Sequence, residues 1–334
     1  MIKNRINYLK WIKLSIAAPV AMIIAGILEL NYATSAATIT LLTVQDTKKD
    51  TLEISIKRIV GFGIMTLLCY VLYPIIGHNV FAYAVFLCVF LLLCYIIGLE
   101  SGITMNAVLA GHYLAVGEMS PGVVGNEAAI LLIGAGMGII SNLVMPENLK
   151  KIREGQSKID GAMKNILTRM SVYLCKEDRS DYTGECFSQV DDLLKAMEKE
   201  ANLRIRNTFT KGDTYFISYM KMRMKQCEVL KSIYRSIMEL NAIPVQAEAI
   251  SRFLQQVSDS FHETNNAERL LENLGEMRST FKVSELPKSR EEFENRAVLM
   301  QIAKDLEQFL MIKRKFAQDL SEEERRQYWD CGGK

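Results

Sequence analysis

The sequence predicts an all-α protein in two parts: a transmembrane domain of about six helices over residues 1–147 and a cytoplasmic helical bundle over 148–320, closed by a polar tail at 321–334. Three observations predict it. No Lys or Arg occurs between Arg58 and Lys150, whereas residues 150–334 hold 32 of the 40 basic and 30 of the 38 acidic residues. Six apolar runs fill the uncharged part. In the charged part, apolar residues recur at spacings of three and four with no strand alternation. A chain of 334 residues has room for two domains, and the change in charge implies two different solvents.

The apolar runs are 14–30, 32–44, 59–76, 80–98, 102–117 and 128–145. A bilayer core about 30 Å thick needs roughly 20 apolar residues as a helix, and shorter runs serve where neighbouring helices bury their ends. The fourth run, VFAYAVFLCVFLLLCYIIG, meets the criterion outright, whereas the second, YATSAATITLLTV, is short and rich in Thr. Flanking charge decides the count, because Lys and Arg concentrate in cytoplasmic loops. Lys3, Arg5, Lys10 and Lys13 precede the first run, and Lys48, Lys49, Lys57 and Arg58 precede the third. Both segments therefore lie inside, and the second run has to cross or to enter and return. The 77–79 and 118–127 loops carry no Lys or Arg and read as external, while Lys150, Lys151 and Arg153 return the chain to the cytoplasm. The predicted topology is a multi-pass protein of the inner, plasma membrane with both termini cytoplasmic. A basic start, an apolar stretch and the Ala33–Ala36 string imitate a signal peptide, but the second basic cluster would still have to sit inside after cleavage.

Gly134, Gly136 and Gly138 in the last run include a small-x-x-x-small pair, Gly134 and Gly138, of the kind that lets helix backbones approach closely. Polar groups in lipid are costly and therefore candidates for function. They are Glu29, Gln45, Asp46, Glu100, Asn106, His112 and Asn142, several of them at helix ends where solvation explains them. Asn106, His112 and Asn142 lie deeper and either line a polar path or join helices. Arg58 reads as an interfacial anchor or as an anion contact at a pore mouth. Gln45, Asp46, Arg58, Asn106, His112 and Asn142 form the candidate substrate path.

In the charged part, Ile152, Ile159, Met163, Ile166 and Met170 form one stripe, and Met220, Met224, Cys227, Leu230, Tyr234 and Ile237 a second. Ile250, Leu254, Val257 and Phe261 form a third; Phe293, Ala297, Met300, Ala303, Leu306 and Leu310 form a fourth. With a shorter helix over 186–204 they predict a bundle of about five helices whose methionines are core. Ser289 and Glu292 have the spacing of a capping box. The tail SEEERRQYWDCGGK reads as frayed.

Several functions are excluded. No G-x-x-x-x-G-K-S/T loop exists for ATP, and the GAGMG string lies inside an apolar run with no strand before it. The seven cysteines contain no C-x-x-C pair, and His78, His112 and His262 are far apart, so neither a metal site nor a nucleophile–base pair is expected. Basic and acidic residues nearly balance in the charged part, which argues against a nucleic-acid surface. The chain is expected to be no enzyme and to need no cofactor.

The string Ala36-Ala37-Thr38-Ile39-Thr40-Leu41-Leu42-Thr43-Val44-Gln45-Asp46-Thr47, followed by Lys57-Arg58-Ile59-Val60-Gly61, resembles the bacterial aromatic acid exporter family, within the fusaric-acid-resistance-like membrane proteins. That family's second span typically ends in Leu-Thr-Val-Gln-Pro-Thr, and Arg-x-x-Gly-Thr opens its third. Asp46 stands here for the Pro and Phe62 for the Thr. The stretch Lys288-Ser289-Arg290-Glu291-Glu292-Phe293-Glu294-Asn295-Arg296-Ala297 resembles the family's C-terminal domain. The resemblance implies six membrane helices with a cytoplasmic helical domain, and export of aromatic or other organic acids. Plant aluminium-activated malate transporters look like distant relatives that conduct organic anions as dimers, so a homodimer is implied by analogy. The alternatives are an organic-anion channel and a non-transporting, membrane-anchored interaction protein. The expected partners are the lipid bilayer, a small organic anion and a second copy of the chain.

Overall fold

A computed structural model describes residues 8–143, 149–208 and 214–329. The described residues form helices joined by turns, with no strand, and fall into two compact units, one within 8–143 and one within 149–329, with 206–208 clustering with the first. The basic residues Lys3 and Arg5, the boundary at Pro146 and Glu147 and most of the 208–213 turn lie outside the described residues.

The first unit holds α1 (Tyr8–Ile27), α2 (Ala33–Thr43), α3 (Lys48–Ile76), α4 (Val80–Ile97), α5 (Ile103–Val116) and α6 (Pro121–Leu143), with a 3-10 turn at Glu100–Gly102. Four segments are long and apolar enough to cross a membrane: Lys10–Ile27, Lys48–Ile76, Val80–Ile97 and Pro121–Leu143. Between 22% and 33% of each spanning window is buried inside the chain, so most of its apolar surface faces outward, as lipid requires. With 11 and 14 residues, α2 and α5 rise only about 16 and 21 Å, short of a bilayer core.

Local chemistry moves the helix starts away from the ends of the apolar runs. Helix α3 begins at Lys48, not at 59, because Thr47 caps it by accepting from the Asp50 amide at 3.1 Å. Lys48, Lys49, Lys57 and Arg58 are therefore helical and not part of a loop. Helix α6 begins at Pro121, not at 128, since proline suits the first helical position. This shortens the loop expected at 118–127 and places Glu127 on a helix. Gly98 and Gly117 close α4 and α5 at φ 74° and 76°, a conformation that side chains resist.

The second unit holds α7 (Leu149–Leu174), α8 (Cys186–Asn207), α9 (Tyr215–Glu239), α10 (Gln246–Asp259), α11 (Glu268–Lys282), α12 (Arg290–Gln318) and α13 (Glu322–Tyr328). The pairs α9–α12 and α7–α10 pack most closely. The methionines Met163, Met170 and Met220 are fully buried, as core residues. Two expectations need correcting. Phe293 is 61% exposed, because the buried face of α12 runs instead through Asn295, Leu299, Ile302, Ala303 and Leu306. The tail is not frayed as far as Trp329. Ser321 and Glu324 form a full capping box on α13, Tyr328 is buried, and Trp329 packs on the same core. At Ser289 the Glu292 amide is capped as expected, but the Glu292 carboxylate reaches back to the Lys288 amide.

Candidate functional site

The helix ends in the first unit bring the path candidates into two polar clusters. In the first half of α3, Arg58 is 5% exposed and turned inward among the helices. Its Nη2 donates to the Leu42 carbonyl at 2.9 Å, its Nη1 to Thr43 Oγ1 at 2.7 Å and its Nε to the Ser101 carbonyl at 3.3 Å. Leu42 and Thr43 end α2, where carbonyls lack helical partners and a cation is favoured. Arg58 thus ties the end of α2 to the turn before α5. Three of its five N–H groups are engaged, and no carboxylate is among its partners.

Asn106, fully buried on α5, donates to the Arg58 carbonyl at 3.2 Å. It fits because Gly61 and Gly102 carry no Cβ; one at Gly61 would stand 2.5 Å from Asn106 Nδ2. Asn142, at the end of α6, donates to Thr51 Oγ1 at 2.6 Å and to the carbonyls of Gln45 and Thr47 at 3.1 Å. It thereby fixes the α2–α3 turn. In that turn, the side chain of Gln45 donates to the Leu42 carbonyl, while Asp46 is exposed and ion-paired with Lys10 at 2.7 Å. The structure therefore brings Gln45, Arg58, Asn106 and Asn142 to one end of the unit, with Asp46 on its rim.

His112 stands apart, at the opposite end. Its Nδ1 lies 2.7 Å from Glu127 Oε2 and its Nε2 3.4 Å from Ser35 Oγ. The Tyr32 ring stacks on it at 4.0 Å and 12°. Glu127 is 1% exposed, and its other oxygen accepts from Asn126 at 3.0 Å; Asn126 in turn holds the backbone of Asn31. A carboxylate this deep costs several kcal/mol unless it is paired or neutral. Here it is paired with the His112 ring and with the Asn126 amide. Glu127 was invisible to sequence reasoning because it fell in the stretch read as external loop; proline at 121 was the available signal. Tyr32, at φ 58°, had no signal.

Fifteen residues of α6 separate Glu127 from Asn142, about 22 Å along the axis. Beside the first turns of α6, which carry Glu127, α3 and α6 form an open groove of about 700 Å³, with Phe62, Thr66 and Tyr70 on one wall and Val124 and Ala128 on the other. Gly134 and Gly138 face away from it, toward α2: a Cβ on Gly134 would lie 2.6 Å from Ile39 and one on Gly138 2.7 Å from Thr43. Gly136 has no such neighbour. Among the described residues no His, Cys, Asp and Glu group could hold a metal ion.

Comparison with known proteins adds the following. Residues 6–145 match the family described as aromatic acid exporter family member 1, and residues 149–314 match the C-terminal domain assigned to aromatic acid exporters. The uncharacterized protein YqjA of Bacillus subtilis (strain 168) is 27% identical over 312 residues, 93% of this chain and 96% of its own length. A crystal structure of a Clostridium difficile 630 protein described as a membrane protein is 28% identical, covering 51% of this chain and 99% of its own, with a TM-score of 0.45.

Proposed function

The chain belongs to the aromatic acid exporter family, and from that premise we propose that it is a secondary exporter of aromatic or other organic acids across the cytoplasmic membrane. The observation that carries this reading is Arg58: a buried cation inside an apolar helical unit, with no carboxylate partner and two N–H groups unspent. An unpaired charge at this depth is expensive and marks a path. Two free donors on one planar guanidinium match the two oxygens of a carboxylate. One turn further along α3 begins the groove with Phe62 and Tyr70, whose rings suit an aromatic body.

Export needs a driving gradient, since the chain carries no ATP loop. In this reading the His112–Glu127 pair carries the coupling proton at the far end. The polar clusters at both ends bury the termini of α2 and α5, which lets these short helices complete six crossings with both termini cytoplasmic. A homodimer supplies the second membrane half.

The test is efflux of labelled aromatic and dicarboxylic acids from proteoliposomes, with and without an imposed proton gradient. Arg58→Gln is expected to lower flux about 10- to 100-fold, the worth of a charge-assisted hydrogen bond. Arg58→Lys, which keeps the charge without the fork, is expected to fall between. Wild-type flux untouched by Arg58→Gln would sink the assignment, and flux that ignores the proton gradient would make the protein a channel.

A further inference from the structure

The second unit contains a buried charge cluster that export does not require. Arg223, on α9, is 1% exposed; its Nε donates to Asp160 Oδ1 at 2.9 Å and its Nη1 to Gln226 Oε1 at 2.7 Å. The other oxygen of Asp160 accepts from Tyr219 at 2.5 Å. Glu263 is likewise engaged, by Arg153 at 2.7 Å and by Tyr215 at 2.6 Å. Three cations (Arg153, Arg223 and Lys313) thus face two carboxylates, and both carboxylates are taken.

The surplus falls on Lys313. It lies on α12, 5% exposed, with no carboxylate at ion-pair distance among the described residues. Its Nζ donates to the backbone carbonyl of Glu263 at 2.5 Å and otherwise faces the rings of Phe316, Trp329 and Tyr219 at 5.1, 5.2 and 5.6 Å. Burial, helped by the charge of Arg223 and opposed by Asp160 and Glu263, pushes its amine down to about 7.

Beside the cluster opens a cleft of about 380 Å³ lined by Arg153, Asp160, Lys164, Phe261, His262 and Glu263. Phe261 and His262 also line a small void, on whose other side lie Arg223 and Lys313. The 260–267 loop therefore forms the wall between the open cleft and the unneutralised amine. That loop ends on Ala267 at φ 65°, a conformation a non-glycine residue rarely holds.

We propose that this cleft is an effector site for a small aromatic monocarboxylate, its carboxylate drawn to Lys313 and its ring against Phe261, with the 260–267 loop as a movable wall. The choice of an aromatic acid rests on the export reading; the site itself does not. The volume is at the lower end of ligand pockets. The cation surplus favours a single negative charge. Asp160 and Glu263 at the rim repel polyanions such as nucleotides.

Binding is linked to pH. The groups facing Lys313 are Arg153 and Asp160 from α7, Tyr219 and Arg223 from α9, His262 and Glu263 from the loop, and Trp329 after α13. An anion beside the amine raises its proton affinity, so above about pH 7 binding takes up a proton and weakens as pH rises further.

The test is calorimetric titration of benzoate into the full-length protein in nanodiscs at pH 7, with benzamide as the neutral isostere and Trp329 fluorescence as a second readout. Binding of benzoate but not benzamide that persists in Arg58→Gln, where the transport path no longer holds the acid, and that is weakened in that background about 10- to 100-fold by Lys313→Met but kept by Lys313→Arg, is expected. No benzoate binding, or binding equal in Lys313→Met, overturns the site. Binding lost in Arg58→Gln yet kept in Lys313→Met also overturns it, while leaving the export reading intact. Lys313-dependent binding in a protein that transports no acid keeps the site and removes export.

Discussion

Arg58, Glu127 and Lys313 share a physical theme, in that each is a titratable group kept from water at a cost the fold alone does not require. Arg58 could be named from the sequence because nothing basic follows it until Lys150. Its burial could not, since that depends on the end of α2 arriving beside it. Glu127 is the sharper test of coupling. Glu127→Gln keeps the shape and the bond to Asn126 but cannot take the proton, so acid efflux is expected to continue while its acceleration by a proton gradient disappears. Gradient dependence surviving in Glu127→Gln would remove the pair from the mechanism. For Lys313 the prediction concerns stability. Its folded value of about 7 lies below the unfolded value of about 10.4, so unfolding takes up a proton between these limits. Stability therefore rises with pH through that window, and the penalty is fully present below 7. Replacing such a buried charge with a hydrophobe commonly stabilises by about 1–4 kcal/mol. Lys313→Met should raise the apparent melting temperature at pH 6.5 and flatten its rise toward pH 9; a lowered melting temperature at pH 6.5 would contradict the burial argument.

At the scale of elements, the contact between α2 and α6 rests on two missing side chains. A Cβ at Gly134 or Gly138 would overlap Ile39 or Thr43, and the α2 backbone at the Ala36 carbonyl stands only 2.8 Å from the Gly134 position. Overpacking of this kind costs about 1–3 kcal/mol. Gly138→Leu is accordingly expected to lower thermal stability in detergent, while Gly136→Leu, with open space around it, leaves it unchanged. Equal effects of the two would mean that the small residues do not set the packing. Most helices were legible from hydropathy and from three-and-four spacing, because burial dictates both patterns, but the charged part holds seven where about five were expected: α11 (Glu268–Lys282) and α13 (Glu322–Tyr328), mostly exposed, gave no stripe. Where the helices begin was not legible. The start of α3 is set by the Thr47 cap and that of α6 by Pro121, local features that an apolar run does not register. The exposed Phe293 shows the same limit from the other side: spacing predicts a stripe, but only the neighbours of α12 decide which stripe is buried. At the end of that buried face Asn295 accepts from the amides of Asn241 and Ala242, tying α12 to the α9–α10 turn. Asn295→Leu leaves both without that partner and should cost about 1–3 kcal/mol.

For the molecule as a whole, the uneven distribution of charge gave away the two-part design before any helix was placed, since one chain cannot be apolar for ninety residues and then highly charged without two environments. The candidate site was legible only as a list of residues. The sequence offered no means of separating His112, at the far end, from Arg58, Asn106 and Asn142, because that division depends on how helices of unequal length line up. The resulting arrangement places a cation without a carboxylate partner at one end and the His112–Glu127 pair at the other, with an aromatic-walled groove between α3 and the first turns of α6. The central claim is that this unit moves organic acids through Arg58. The most direct measurement is counterflow of labelled 4-hydroxybenzoate in proteoliposomes at clamped voltage, comparing wild type with Arg58→Gln. The account predicts transient accumulation of label against its gradient in wild type and its loss in Arg58→Gln; counterflow of equal size in both, or none in wild type, would contradict it.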